Sequence, residues 1–298
     1  MASDHVGFAG RARELDRLDE LLSAAERGAS RTALVTGEAG IGKSTLVEQA
    51  AARAIERGQR VLVGRCLPVQ GIVYDAFVDA LGGLTEELGV ERLGQLAGLP
   101  PGVLRAVVPE AQPFVAGEPV APVGPGAQAR LFDGVGRLLR RLAEPAPVLV
   151  VVEDLHWAHP TTLELFCVLS QRLADQRVTL VGTERQPGPE LERHLAPLLS
   201  ETSRGDHVDR LHLLGLSEDE VARQLGALTG EEPSRVVVRS VLQRSEGNPL
   251  FVRELAGQDA RTPVEVPHRL RDLFEATLLS LPEETQHLVR LCAAAGRR

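Results

Sequence analysis

The stretch TGEAGIGKST, from Thr36 to Thr45, decides the fold because it joins a glycine-rich turn to a lysine and a hydroxyl at a fixed spacing. Residues 37–44 fit the pattern GxxxxGK[ST] of a phosphate-binding loop, or P-loop. Lys43 is the one lysine of the chain, because every other residue in the Lys+Arg total of 33 is an arginine. A compact ammonium fits a tight loop that the flat guanidinium fork of arginine does not. The retained lysine therefore indicates a chemical requirement.

The sequence on either side of this turn supplies the context that the motif needs. TALVT (Thr32–Thr36) predicts a buried strand, and KSTLVEQAAARAIERG predicts an amphipathic helix that starts at Lys43 and stops at Gly58. The predicted apolar face of this helix consists of Leu46, Val47, Ala50, Ala51, Ala54 and Ile55. A strand, a glycine-rich loop and a helix in this order are the local structure in which the motif binds a nucleotide.

In such a loop, glycines let successive backbone N–H groups point at phosphate oxygens, and the helix N-terminus adds positive partial charge. We expect the Lys43 ammonium to reach the β- and γ-phosphates and the Ser44 hydroxyl to bind Mg²⁺. The predicted phosphate-binding residues are Gly37, Glu38, Ala39, Gly40, Ile41, Gly42, Lys43, Ser44 and Thr45. The alternative interpretation is a glycine-rich turn that happens to carry a lysine.

Further short runs rich in Val and Leu predict the rest of a sheet. Continuous apolar runs of this kind are typical of parallel strands that are buried on both faces. The runs are RVLVG (Arg60–Gly64), PVLVVV (Pro147–Val152), VTLVG (Val178–Gly182) and VDRLHL (Val208–Leu213). The predicted fold class is α/β, with a parallel sheet flanked by helices.

The long segment 65–146 predicts an insertion between two strands. It contains an amphipathic stretch around Phe77–Leu88, a loop rich in Pro and Gly over Pro109–Gly126, and a helix over Ala127–Leu142.

An acidic pair directly follows one of the apolar runs, where PVLVVV leads into Glu153 and Asp154. Acids at the end of a buried strand beside a P-loop are a Walker B arrangement, in which one carboxylate orients Mg²⁺ and the other positions the attacking water. The spacing does not decide which acid has which role. The alternative is a strand that ends in an acidic helix-capping turn.

Charge and cysteine content exclude several classes of function. The net charge of −8 and the pI of about 5.6, with arginines scattered among acids, argue against DNA binding by these residues. The sequence has neither an N-terminal leader nor an apolar run of membrane-spanning length, so we expect a cytoplasmic protein. A disulfide framework or a zinc site is unsupported because the cysteines are widely spaced and odd in number: Cys66, Cys167 and Cys292.

Together these motifs resemble the STAND branch of the P-loop ATPases, and within it the ATPase module of large LuxR-type transcriptional regulators. The resemblance covers nearly the whole chain, and the ordered set of motifs is its most specific feature. The matching segments are FAGRARELDRLDELL (Phe8–Leu22), GEAGIGKST, VVEDLHWAHP (Val151–Pro160), VGTERQP (Val181–Pro187), EGNPLFVREL (Glu246–Leu255) and VPHRLRDLFEATLLSLPEETQHLVRLCAAAGR near the end.

The resemblance implies roles for residues outside the P-loop. Gly10 and Arg11 would lie near the base and the ribose, where the alternative is a simple turn before the first helix. Arg185 would act as a sensor that faces the γ-phosphate, where the alternative is a surface arginine. Pro249 would pack on the nucleotide from a small helical domain, where the alternative is a helix-stopping turn. His156 and Trp157 are expected to pack behind the site.

This sequence departs from the family pattern in two places. Many members of the family have Asp-Asp or Asp-Glu where this chain has Glu153-Asp154, and a further Asp where it has His159. The longer glutamate would hold the metal differently, so the resemblance implies ATP binding together with slow hydrolysis.

The resemblance also implies a domain organisation. Residues 1–213 would form the nucleotide-binding domain, 214–260 a helical lid, and 261–298 the beginning of a winged-helix domain. Members of the family continue into a helical-repeat sensor region and a C-terminal helix-turn-helix, so we expect this chain to be a fragment. Its partners would be ATP and a sensor domain or a second copy.

The predicted function is an ATP-dependent regulatory switch of a transcriptional activator. The alternatives are an ATP-binding scaffold without turnover and a metabolic P-loop kinase.

Overall fold

A computed structural model describes residues 10–29, 31–68, 73–99, 126–185, 208–256, 278 and 283–295. Several sequence predictions lie wholly or mostly outside these residues: the loop rich in Pro and Gly, the residues after Arg185 in VGTERQP, and most of the expected winged-helix domain.

Five parallel strands form one sheet in the order β2-β3-β4-β1-β5. Each predicted apolar run is a strand, and four of them extend further than predicted by one or two residues at the carboxyl end. The strands are β1 (Thr32–Gly37), β2 (Arg60–Arg65), β3 (Val148–Glu153), β4 (Val178–Glu184) and β5 (Val208–Leu213). The predicted α/β class is therefore confirmed.

Helices connect and flank the strands. The described α-helices are α1 (Ala12–Glu26), α2 (Lys43–Glu56), α3 (Asp75–Leu88), α4 (Val90–Ala97), α5 (Ala127–Leu142), α6 (Pro160–Arg172), α7 (Glu218–Thr229), α8 (Arg235–Ser245), α9 (Pro249–Ala256) and α10 (Glu283–Ala295). A short 3₁₀ turn over Leu155–Trp157 follows β3 directly. None of the helices within the described ranges is long and apolar enough to cross a membrane.

The sheet order positions the candidate site. Strands β3 and β4 are buried at every position, and each lies between two other strands. Strand β4 pairs with β1 on one side and with β3 on the other. All strands run in the same direction, so the P-loop after β1, the acidic pair at the end of β3 and Arg185 after β4 lie at one edge of the sheet. Ligands of open parallel sheets bind at this edge.

The segment between β2 and β3 packs its first helix closely against the sheet. A Cβ atom at Gly64 of β2 would lie 1.7 Å from the carbonyl oxygen of Ala76 in α3, so only glycine allows this approach. Phe77 and Leu81 of α3 belong to the main hydrophobic core. The predicted amphipathic stretch is thus part of α3, the helix over Ala127–Leu142 is confirmed as α5, and α4 was not predicted.

The predicted apolar face of α2 is wrong at Ile55, which is 62% exposed. Leu46 and Ala50 are buried against the sheet, as predicted. Each residue turns a helix by about 100°, so Ile55 lies well away from the centre of the buried stripe. The helix ends at Glu56 and Gly58 has a φ of 74°, as expected of a glycine that stops a helix.

The chain divides into two compact units between Leu214 and Gly215. The described helices of the second unit include α7, α8 and α9, which share a small core of buried residues. That core contains Leu216, Val221, Leu225, Val238, Val241, Val252 and Leu255. Helix α7 begins with a capping box between Ser217 and Glu220. The lid and winged-helix assignments stay predictions.

Candidate nucleotide site

The P-loop leaves β1 at a glycine that no other residue could replace without a clash. Gly37 has a φ of 153°, and a Cβ atom there would lie 2.9 Å from both the carbonyl oxygen of Leu213 and a side-chain carbon of Ile41. At the other end of the loop, Gly42 has a φ of 98° and is the N-cap of α2. No side chain of the described residues caps α2. Its first turn therefore presents backbone donors of the kind that bind phosphate.

Lys43 is held inside this loop. Its side chain is 8% exposed, and Nζ donates hydrogen bonds of 2.8 Å to the carbonyl oxygens of Gly37 and Glu38. Burial lowers the pKa of Lys43, and the charge of Asp154 opposes that effect. The two carbonyl acceptors partly compensate the ammonium for the water it has lost. The loop thus fixes a cation where the motif requires one.

Ser44 and Glu153 are in contact across the sheet edge. The Ser44 hydroxyl donates a 3.0 Å hydrogen bond to Oε2 of Glu153, which is 3% exposed. These residues come from the start of α2 and the end of β3, which the fold brings together. A hydroxyl and a carboxylate at this separation are oxygen donors of the class that Mg²⁺ prefers.

Arg65 also contacts Glu153, and the sequence analysis missed this residue. Its guanidinium donates a 2.8 Å hydrogen bond to Oε2 of Glu153, and its Nε lies 4.0 Å from a carboxylate oxygen of Asp154. Hydrogen bonding to Glu153 raises the pKa of Arg65. Arg65 is the last residue of β2 and pairs with Glu153 of β3, so knowledge of the strand register would have been needed to predict the contact.

Asp154 begins a tight turn. It has a φ of 59°, a left-handed conformation that costs energy in residues other than glycine. Its N–H donates a 3.0 Å hydrogen bond to Oγ1 of Thr183 in β4, and its carbonyl accepts a 2.8 Å hydrogen bond from the N–H of Trp157. The turn directs the Asp154 side chain differently from that of Glu153, although the two are neighbours in sequence.

The residues after Asp154 lie against Arg185. The side chain of His156 is 14% exposed, and its Nδ1 accepts a hydrogen bond of 3.5 Å from the N–H of Arg185. Burial lowers the pKa of His156 to about 4, so the ring is neutral at pH 7. Trp157 is 45% exposed, and the Arg185 guanidinium lies 5.9 Å from its ring centroid. His156 thus packs behind the site as expected, whereas Trp157 faces Arg185 and solvent.

Comparison with known proteins places this geometry in a family. The sequence profile of the AAA ATPase domain matches residues 7–181, which is more than half of the chain. The chain belongs to the AAA ATPase domain family. A solved Walker-type ATPase of Pyrococcus abyssi has the same fold, with a TM-score of 0.51 and 13% sequence identity over 95% of this chain and 76% of that one.

Two further proteins that this chain matches are longer. A STAND ATPase with a tetratricopeptide repeat sensor, from Pyrococcus horikoshii, matches with a TM-score of 0.47 and 17% identity over 93% of this chain and 33% of that one. An uncharacterised protein of Rhizobium meliloti (strain 1021) is 24% identical over 259 residues, or 82% of this chain. The match of this chain spans 24% of the length of that protein.

Arg11 lies beneath the P-loop of the AAA ATPase domain. It is 6% exposed, has a φ of 61°, and donates hydrogen bonds to the carbonyl oxygens of Ile41 and Leu214. It therefore connects the loop to the last residue before the second unit. Contact of Gly10 and Arg11 with a base or ribose stays a prediction.

Two other residues singled out in the sequence lie at helix starts. Pro249 is the first residue of α9 in the second unit, and its carbonyl accepts a 3.1 Å hydrogen bond from Gln224. Its contact with a nucleotide stays a prediction. His159 is the N-cap of α6 and accepts a hydrogen bond from the N–H of Thr161. His159 thus has a helix-capping role in this chain.

The residues of the AAA ATPase domain fit a nucleotide with Mg²⁺. Helix α2 follows a loop in which Gly37, Gly40 and Gly42 have positive φ. The buried ammonium of Lys43 lies in this loop, and the Ser44 hydroxyl contacts the Glu153 carboxylate. The part of the chain that the structure describes contains no cluster of three or more His, Cys, Asp or Glu side chains suited to a metal. Mg²⁺ would therefore rely on Ser44, Glu153, water and phosphate oxygens, as this ion commonly does.

Proposed function

We propose that this AAA ATPase domain is an ATP-dependent regulatory switch that binds ATP with Mg²⁺ and hydrolyses it slowly. The observation that carries the proposal is the contact between Ser44 and Glu153 beside the buried ammonium of Lys43. It unites the P-loop and the acidic strand end in one site, which a chance glycine-rich turn would not do.

The side chains have distinct roles in this mechanism. Lys43 binds the β- and γ-phosphates, and Ser44 and Glu153 hold Mg²⁺, which neutralises phosphate charge when bound. Asp154 accepts a hydrogen bond from the attacking water. As the water oxygen bonds to the γ-phosphorus, the bond from that phosphorus to the bridging oxygen breaks, ADP leaves with the electron pair, and Asp154 receives the proton of the water. We assign the metal to Glu153 because Ser44 contacts this acid.

Arg185 supplies the difference between the two nucleotide states. It follows β4, which lies between the P-loop strand and the acidic strand. A guanidinium there would form charge-assisted hydrogen bonds to a γ-phosphate, which ADP lacks. ATP and ADP would then favour different arrangements of the nucleotide-binding unit and the helical unit, with Pro249 contacting the nucleotide in one of them.

We place this switch in a transcriptional activator of the large LuxR type. The support is the ordered set of sequence motifs, together with the greater length of the Rhizobium meliloti relative. The sensor region, the DNA-binding domain and any self-association belong to this proposal.

An ATP-binding scaffold without turnover is the second candidate. It is favoured by Arg65, whose guanidinium holds the same oxygen of Glu153 that accepts from Ser44. If the ion pair persists with nucleotide bound, the carboxylate is not available to orient Mg²⁺.

The test combines calorimetry with a phosphate-release assay. We expect the parent to bind Mg²⁺-ATP and release phosphate, and Lys43→Ala to do neither at the same nucleotide concentration. Arg13→Ala, at an exposed position on α1, is the matched control for loss of one positive charge. Binding without phosphate release would select the scaffold. Parent affinity in Lys43→Ala would overturn the P-loop assignment.

A further inference from the structure

The sensor arginine is held at two points by one short turn. The 3₁₀ turn over Leu155–Trp157 comes directly after the acidic pair. From this turn, the His156 ring accepts a hydrogen bond from the backbone N–H of Arg185, and the Trp157 ring lies under its guanidinium. The two rings also lie against each other, with centroids 5.0 Å apart. A single turn thus contacts both the backbone and the side chain of Arg185.

Trp157 is not a covered core residue. An indole in a core is normally covered, whereas this one is 45% exposed and offers its face to a cation. At 5.9 Å from the ring centroid, the guanidinium lies within the range of a cation–π contact. A guanidinium that lies against an aromatic face keeps N–H donors available for a phosphate, so the same arginine can contact both.

The turn is also tied to the acidic pair. The N–H of Trp157 donates a hydrogen bond to the carbonyl oxygen of Asp154. The N–H of Asp154 donates one to the side chain of Thr183 in β4. The ends of β3 and β4 are therefore connected on both sides of the turn. Trp157 therefore contacts Arg185 on one side and is hydrogen-bonded to Asp154 on the other.

We propose that Trp157 is a positioning residue, which keeps the Arg185 guanidinium oriented for the γ-phosphate of a bound triphosphate. The inference rests on the proposed function of Arg185. It predicts that the indole environment depends on the γ-phosphate and not only on nucleotide binding.

The protein supplies its own probe, because Trp157 is its one tryptophan. Indole emission responds to a neighbouring cation, so we expect a larger change with Mg²⁺ and a non-hydrolysable ATP analogue than with Mg²⁺-ADP. In Arg185→Ala this difference between the nucleotides should vanish. Equal emission changes with the two nucleotides, in a parent that calorimetry shows to prefer the triphosphate, would overturn the inference.

Substitutions at Trp157 separate positioning from packing. The readout is the ratio of ADP to analogue dissociation constants, measured by calorimetry. We expect Trp157→Leu to lower this preference for the triphosphate about two- to fivefold without changing ADP affinity, and Trp157→Phe, which keeps an aromatic face, to retain most of it. Arg185→Ala should lower it more, by about ten- to a hundredfold. A purely structural residue would change ADP affinity or thermal stability instead.

The outcomes distinguish failure of the role of Trp157 from failure of the proposed ATP-dependent switch. If the parent binds neither nucleotide, the proposed function fails and this inference fails with it. If Arg185→Ala keeps the parent preference, the sensor role is wrong and so is the role of Trp157. If Arg185→Ala loses the preference and Trp157→Leu keeps it, the inference about Trp157 alone is overturned.

Discussion

The P-loop side and the Arg185 side of the sheet edge differ in how firmly their charges are held. Lys43 and Glu153 are almost fully buried, and their hydrogen bonds are 2.8 to 3.0 Å long. Arg185 and Trp157 are exposed, and their contacts are a 3.5 Å hydrogen bond and a ring at 5.9 Å. Buried, fully bonded charges resist movement, whereas exposed and weakly held ones move at small cost. We therefore expect the side with Lys43 and Glu153 to be rigid and the side with Arg185 and Trp157 to be mobile. They are called the rigid side and the mobile side below.

The largest effect is expected at the acidic pair. A double Glu153→Gln, Asp154→Asn variant keeps the shape of both side chains but removes the charges that would hold the metal and accept the proton in the proposed mechanism. Phosphate release should fall by about 10² to 10⁴-fold, while nucleotide affinity falls much less. Asp16→Asn, at an exposed position on α1, is the control. Phosphate release at the parent rate in the double variant would remove the acids from the mechanism.

The next effect is expected at Lys43. Loss of its ammonium in Lys43→Ala should weaken ATP binding by about 2–5 kcal/mol, or tens- to thousands-fold, when measured by calorimetry. Lys43→Arg keeps the charge, but its fork cannot occupy the space between the Gly37 and Glu38 carbonyls in the same way. We therefore expect this variant also to bind ATP poorly. Parent-like affinity in Lys43→Arg would show that charge alone explains the retained lysine.

Substitution of Arg65 tests how strongly the buried Glu153 carboxylate on the rigid side depends on its cation. Arg65→Ala leaves the Glu153 carboxylate buried without its cation and should lower the free energy of unfolding by about 1–3 kcal/mol. Arg60→Ala is a matched control, because Arg60 lies at the other end of β2 and pairs with Glu87, which is 50% exposed. That pair should contribute less than about 1 kcal/mol.

Urea unfolding of the two variants gives the comparison. Mg²⁺-ATP should recover part of the stability lost in Arg65→Ala, because the metal replaces the missing positive charge. Equal losses in the two variants would mean that the Arg65–Glu153 pair behaves as a surface ion pair.

The sequence predicted the rigid side better than the mobile side, for a physical reason. The P-loop, its strand and its helix are contiguous, and the acidic pair directly follows an apolar run, so local patterns identify them. Arg65 and Glu153 lie 88 positions apart and meet only because β2 pairs with β3. Apolar runs predict that strands exist but not their order in the sheet. Trp157 was expected to pack behind the site, because no local pattern distinguishes a covered indole from one that faces an arginine.

The smallest effect is expected on the arrangement of the two units, and it tests the mobile side directly. A ligand can shift a conformational equilibrium only by its differential affinity for the two states. If Arg185 contributes about ten- to a hundredfold preference for a triphosphate, the resulting shift is partial, since a complete reversal from 1:99 to 99:1 requires about 10⁴-fold. X-ray scattering with Mg²⁺-ADP and with a non-hydrolysable analogue should therefore differ modestly in the parent. In Arg185→Ala the two profiles should coincide, while ADP binding persists. Arg13→Ala should keep the parent difference. Identical profiles for both nucleotides in the parent would mean that Arg185 reads the γ-phosphate without moving the helical unit, and the switch proposal would then fail although the binding site stands.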